Sequence, residues 1–133
     1  MKRVLIVDDD HAHLETTSAL LEEEGYDVLL QAGPFGATER IMLTRPDLVL
    51  LDVNMPALSG QALFPLLRAR EQTRGVPVVL FSSNDEEVLR TTAQRLGAAG
   101  WVCKGDLPGL LRTLRRLLAD PPAWARAAAP PRP

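Results

Sequence analysis

Pro46-Asp47-Leu48-Val49-Leu50-Leu51-Asp52-Val53-Asn54-Met55-Pro56 sets the architecture of this chain. Leu48 to Leu51 is an unbroken apolar run, too short for a helix and closed at both ends by turn residues. Such a run reads as a strand buried on both faces, as in a parallel sheet covered by helices. It ends on a carboxylate, Asp52, and open α/β sheets place their sites at the carboxyl ends of their strands. Asp52 therefore either opens the following turn or belongs to a site.

Nearer the N-terminus, Val4-Leu5-Ile6-Val7 is a second run of the same kind, and it ends in Asp8-Asp9-Asp10. Asp10 is the expected N-cap of a helix with an apolar stripe at Leu14, Leu20 and Leu21, stopped by Gly25. Tyr26 to Leu30 predicts a third strand. A loop through Gly33, Pro34 and Gly36 leads to a helix over 37–44. After Gly60 a helix is expected to turn Leu63, Phe64, Leu66 and Leu67 inward, with Pro65 imposing a kink or a late start. Pro77 to Phe81 is the fourth buried strand and ends in Ser82-Ser83. Asn84 and Glu87 match a capping box, and Val88, Leu89, Thr92, Ala93 and Leu96 recur at helical spacing. Trp101-Val102-Cys103 predicts a short fifth strand ending in Lys104. Asp106 caps a last helix with Pro108 in its first turn and a buried face of Leu110, Leu111, Leu114, Leu117 and Leu118.

Strands and helices thus alternate five times. Right-handed crossovers make this a flavodoxin-like α/β fold, a doubly wound parallel sheet with helices on both faces. The domain is expected to span 1–119, leaving 120–133 as a Pro/Ala-rich tail or linker. The 133 residues suffice for one domain with a real core. A formal net charge of −2 gives no electrostatic case for nucleic acid or an anionic membrane. No apolar run approaches the roughly 20 residues of a spanning helix. Met1-Lys2-Arg3 leads straight into a strand, so no signal peptide is expected. Cys103 is the one cysteine, which excludes an internal disulfide and fits a reducing cytoplasm.

Four strand ends carry polar residues of useful types: Asp8 and Asp9, Asp52, Ser82, and Lys104. In a doubly wound sheet these ends share one edge. Three carboxylates there repel one another, and a hard divalent cation with oxygen ligands relieves the repulsion. Mg²⁺ typically takes one or two carboxylates together with phosphate oxygens and waters. A hydroxyl and an ammonium at the same edge suit an anion. The chemistry that uses all of these is an aspartyl-phosphate site: a carboxylate nucleophile, a metal, and donors for phosphoryl oxygens.

The motifs Val-Asp8-Asp9-Asp10, Leu-Leu-Asp52-Val-Asn-Met55-Pro56 with Gly60, Phe-Ser82-Ser83, and Gly97-Ala-Ala-Gly-Trp101-Val-Cys-Lys104 stand in order, each at a strand end. Together they resemble the receiver domain of two-component response regulators. The resemblance implies that Asp52 accepts a phosphoryl group from a histidine kinase or phosphotransfer protein. It implies that Asp8 and Asp9 hold Mg²⁺, Asp9 directly and Asp8 mostly through water, with the backbone carbonyl of Asn54. It gives Ser82 and Lys104 to the phosphate, and makes Trp101 a residue that swings inward when Ser82 moves. The output implied is a switched surface for a downstream protein target, without direct contact to nucleic acid or membrane.

Three departures from the pattern stand out. Gly105 follows Lys104 where receivers usually have a cis proline; without proline, cis costs about 3 kcal/mol. Receivers attached to helix-turn-helix output domains are similar in this respect. Gly33-Pro34-Phe35-Gly36 lacks the usual loop pattern. Gly97-Ala98-Ala99-Gly100 lacks the acids that build the dimer salt bridges of one large subfamily, so a monomer or weak dimer is expected.

Other residues have plainer readings. His11 and His13 read as solvated first-turn residues, since carboxylate and water sites suit Mg²⁺ better than imidazole. Cys103 reads as a small core residue. Arg112, Arg115 and Arg116 read as a solvated helix face or a protein-docking surface. Two rival functions use the same residues: a degenerate receiver binding partners without phosphate, and a haloacid-dehalogenase-type phosphatase. The latter has Asp8-x-Asp10 but Ala12 in place of the expected Thr or Val, and no room for a cap.

Overall fold

The computed structural model describes residues 1–56, 58–83 and 85–119. The expected tail, 120–133, lies outside them. The elements alternate as β1 (Arg3–Asp8), α1 (His11–Glu23), β2 (Asp27–Ala32), α2 (Ala37–Thr44), β3 (Leu48–Asp52), α3 (Gly60–Ala69), β4 (Val78–Ser82), α4 (Glu86–Leu96), β5 (Gly100–Cys103) and α5 (Leu107–Leu118). The strands form one parallel sheet in the order β2-β1-β3-β4-β5. The chain leaves β1 toward one edge of the sheet and returns to β3 on the other side. Between β1 and β3 the winding reverses, and there the loops diverge and open a crevice.

The apolar runs form strands because both of their faces are covered. Successive side chains of a strand point to opposite faces. Leu5, Val7, Val49, Leu51, Val78 and Leu80 face Ile41, Leu63, Phe64, Leu67, Leu89 and Ala93 of α2, α3 and α4. Val4, Ile6, Leu48, Leu50, Val79 and Phe81 face Leu14 and Leu21 of α1 and Leu110, Leu114 and Leu118 of α5. The sheet edge at β2 is only half covered, and its exposed Leu30 is not an anomaly there. That strand runs further than its apolar run, to Gln31 and Ala32, because pairing with β1 continues through Ala32 opposite Asp8.

Capping follows the expected chemistry with one shift. Asp10, Ser59 and Asp106 each accept a hydrogen bond from a first-turn backbone N–H of α1, α3 and α5. At α4 the cap is Asp85, which accepts from Glu87 N and Val88 N; Asn84, the cap expected from sequence, lies outside the described residues. Pro65 does not delay α3, which begins at Gly60 and runs through it. Proline has no N–H, so one helical bond is missing there.

Two helix faces differ from expectation. Leu66 is half-exposed at 51%, because Leu63, Phe64 and Leu67 already fill the inward face of α3. Val88 likewise points outward, at 52%, while Leu89, Thr92 and Ala93 face in. On α1 the buried stripe is Leu14, Thr17, Ser18 and Leu21, a regular i, i+3, i+4, i+7 face that includes two hydroxyls. Leu20, Leu111 and Leu117 are half-buried at the margins of their helices.

Candidate functional site

Asp8 and Asp52 close the two strands that flank the winding reversal, and both are buried. Asp9 follows Asp8 out of the sheet and is exposed. Each of the three carboxylates offers an oxygen, and these lie within 4.8 Å of one another. The backbone fixes two of them: Asp10 N donates to Asp8 Oδ1 at 3.0 Å, and Asn54 N donates to Asp52 Oδ1 at 3.0 Å. Gly60 lets α3 begin against the end of β3. Its N–H donates to Val53 O, and a Cβ there would run into the carbonyl oxygen of Asp52.

Lys104 enters from β5. Its backbone N donates to Ser82 O at 2.7 Å, which ties the strand end down. Its Nζ lies 3.1 Å from Asp8 Oδ2 and 3.4 Å from Asp52 Oδ2. One ammonium therefore serves two buried carboxylates. Burial pushes Asp52 above the ordinary aspartate value; its bond from Asn54 N opposes this, Asp8 adds to it, and Lys104 counteracts it only in part. Burial would also raise Asp8, but the Asp10 N–H, Lys104 and a hydrogen bond with Asp52 outweigh it and hold Asp8 below that value. Burial would lower Lys104, yet its contacts to Asp8 and Asp52 leave it raised and charged. Asp8 is thus the settled carboxylate of the pair and Asp52 the unsettled one.

Ser82 ends β4 with its side chain fully buried. The side chain of Asn54, which the sequence offered only for its backbone carbonyl, donates from Nδ2 to Ser82 Oγ at 2.9 Å. Trp101 is half-buried on β5, opposite Leu80 and packed against the core that α2, α3 and α4 cover. It lies behind Ser82 along the sheet and outside the carboxylate cluster.

His13 overturns its sequence reading. It is not a solvated first-turn residue: its side chain is 22% exposed, with Nδ1 2.9 Å from Asp8 Oδ2 and its ring tilted against Phe81 at 4.8 Å. The placement comes from the Asp10 cap, which starts α1 so that His13 folds back over the end of β1. Phe81, far away in sequence, supplies the floor. His11 is exposed, as expected. Cys103 is half-buried against the core, and burial with Glu86, Asp106 and Asp85 nearby raises its thiol, which disfavours the reactive thiolate. Arg112, Arg115 and Arg116 are exposed on α5, and Arg115 pairs with Glu24 at 3.1 Å.

The cluster presents hard oxygen donors, two buried and one open to solvent, with an ammonium beside them. That donor set fits a small hard dication such as Mg²⁺, which keeps waters and binds through few carboxylates. Asp10, the second acid of the phosphatase motif, is exposed and caps α1 through Oδ1. Among the described residues, no helix is long and apolar enough to cross a membrane.

Known proteins of similar sequence and structure agree with one another. The family model described as the response regulator receiver domain matches residues 4–115. The chain is 32% identical over 120 residues to protein PilH of Pseudomonas aeruginosa, covering 90% of this chain and 99% of that protein. It is 32% identical over 126 residues to the DNA-binding response regulator MtrA of Mycolicibacterium smegmatis, covering 92% of this chain but only 54% of MtrA. Among solved structures it is similar to the receiver domain of the sensor histidine kinase PA1611 of Pseudomonas aeruginosa. The TM-score is 0.80 at 27% identity, covering 90% of this chain and 98% of that one. That structure holds a magnesium ion coordinated in its active-site cleft.

Proposed function

This chain belongs to the response regulator receiver domain family, and we propose that it accepts a phosphoryl group on Asp52, with Mg²⁺, and thereby switches a protein-binding surface. The donor would be a histidine kinase or phosphotransfer protein. The observation that carries the reading is the buried Asp52 carboxylate at the winding reversal, gathered with Asp8, Asp9 and the Lys104 ammonium.

Asp8, Asp9 and Asp52, with the backbone carbonyl of Asn54, are the residues that would hold Mg²⁺. When bound, the cation neutralises the crowded carboxylates and the charge of an incoming phosphoryl group. The Asn54 N–H fixes one oxygen of Asp52 and so orients the carboxylate for attack. A bond forms from Asp52 oxygen to phosphorus as the bond from phosphorus to the donor nitrogen breaks, and the electron pair leaves with the donor imidazole. Lys104, already within reach of Asp52, turns to a phosphoryl oxygen in a charge-assisted contact. Ser82 contributes its hydroxyl to the same group.

The movement of Ser82 toward the phosphate vacates space behind β4, and Trp101 moves inward. Indole is large, and its N–H needs a partner when buried, so the inward state is sparsely populated without further stabilisation. A protein target docking beside α4, β5 and α5, over Val88, Trp101, Arg112 and Arg116, would supply it. The test uses Trp124→Phe, which leaves Trp101 as the only indole. Adding Mg²⁺ with beryllofluoride, a phosphoryl mimic, is expected to change Trp101 emission. The change disappears with Asp52→Asn and shrinks with Ser82→Ala. Bound mimic with unchanged emission, even with a target present, would make Trp101 a static core residue.

A further inference from the structure

His13 and Asp8 lie together in a way that the reading above, on which this inference rests, does not use. Asp8 is buried beside the Lys104 ammonium, and a carboxylate so paired only accepts hydrogen bonds. His13 Nδ1, 2.9 Å from Asp8 Oδ2, therefore carries a hydrogen and donates it. The residue is held at both ends: its backbone N donates to Asp10 Oδ1 at 3.2 Å, and its ring, mostly buried, rests on Phe81.

Asp8 Oδ2 has a second donor, Lys104 Nζ at 3.1 Å. The two donors differ in what the chemistry asks of them. Lys104 also faces Asp52, and phosphoryl transfer draws it toward the new phosphoryl oxygens. His13 is anchored in α1 and has no such second task. When Lys104 turns away, Asp8 keeps Asp10 N on Oδ1 and His13 on Oδ2. We infer that His13 is a positioning residue that fixes the Asp8 carboxylate for the divalent cation, in the same orientation with and without Lys104. Groups of this kind, bonded to a ligand rather than to the metal, typically change metal affinity by about 10–100-fold when removed.

A plainer role for His13 is packing on Phe81 alone, and the two roles separate by substitution. His13→Leu keeps bulk over Phe81 and removes the donor. His13→Gln keeps an amide but places it beyond the Nδ1 position. His13→Asn places an amide N–H close to where Nδ1 stands. Mg²⁺ is titrated into the full chain and followed by backbone amide NMR shifts around Asp8, Asp9 and Asp52, with thermal unfolding of each variant as the check on folding. The Kd for Mg²⁺ is expected to rise about tenfold in His13→Leu and His13→Gln and to stay within about threefold of the parent in His13→Asn. Parent-like affinity in His13→Gln or His13→Leu overturns the role of His13, as does an Asn variant as weak as Leu. Absence of any Mg²⁺ response in the parent chain overturns the metal reading itself, and the role of His13 with it.

Discussion

Lys104 stands between two buried carboxylates, and its single charge leaves them unequal. Asp8 gathers Asp10 N, His13 and Lys104, whereas Asp52 has Asn54 N and a longer contact to Lys104. Because its value is raised in the folded protein, ionised Asp52 opposes folding at neutral pH. As pH falls through that raised value the folded protein takes up a proton before the unfolded chain does, and the opposition is relieved. Asp52→Asn should therefore stabilise the domain at neutral pH, by about 1 kcal/mol and a few degrees in Tm. The advantage should shrink in acid, once the parent Asp52 is itself protonated. Thermal melts of both proteins at neutral and acid pH check this; an advantage that grows in acid would contradict it. Asp8 and Lys104 work in the opposite sense. The stability from Asp8 is present above the ordinary aspartate value and is lost as pH falls through its lowered one. The stability from Lys104 is complete below the ordinary lysine value and is lost as pH rises through its raised one. Among single residues, the acids, the hydroxyl and the lysine were legible in the sequence, because each ends an apolar run. His13 and the side chain of Asn54 were not. The Asn54 side chain meets Ser82 of β4, which no local pattern brings near, and His13 folds back from α1 onto Asp8 over a floor that Phe81 of β4 supplies.

Among the elements, the strands were legible because a short apolar run bounded by turn residues fits little besides a strand covered on both faces. The bounds of β2 were not, since an edge strand extends as far as its partner's hydrogen bonds rather than its own apolarity. Helix faces were legible in phase but not in width: Leu66 and Val88 are apolar residues that the core had no room to use. The junction of β3 and α3 has the tightest tolerance near the candidate site. Gly60 packs its backbone against the end of β3, so Gly60→Ala forces either the helix or Asp52 to move. Overpacking of this kind costs about 1–3 kcal/mol, and here it should also weaken beryllofluoride binding. Ala substitution at Gly109 is a useful contrast, because a Cβ there meets the Asp106 side chain that caps α5 rather than the end of β3. Chemical denaturation with mimic titration separates the two. Loss of stability is expected in both variants and loss of mimic binding in Gly60→Ala alone; mimic binding at parent strength in Gly60→Ala would contradict the coupling.

For the whole molecule, the winding reversal between β1 and β3 is where the candidate site lies. The alternation of strands and helices predicted a doubly wound sheet, because right-handed crossovers leave few ways to cover both of its faces; the position of the reversal comes from the strand order. Polar residues on separate strands, from Asp8 to Lys104, then meet at one edge although none of them is unusual in its own segment. The chain spans nearly all of PilH and about half of MtrA, and the proposed target surface beside β5 is marked by the exposure of Val88, Arg112 and Arg116. Phosphoryl transfer to Asp52 is tested most directly by the intact mass of the full chain after incubation with Mg²⁺ and a small phosphodonor such as acetyl phosphate. One added phosphoryl group is expected, removed by hydroxylamine, dependent on Mg²⁺ and absent in Asp52→Asn. A phosphoryl group that persists in Asp52→Asn, or a parent chain that gains none under these conditions, would contradict the assignment of Asp52 as the phosphoacceptor.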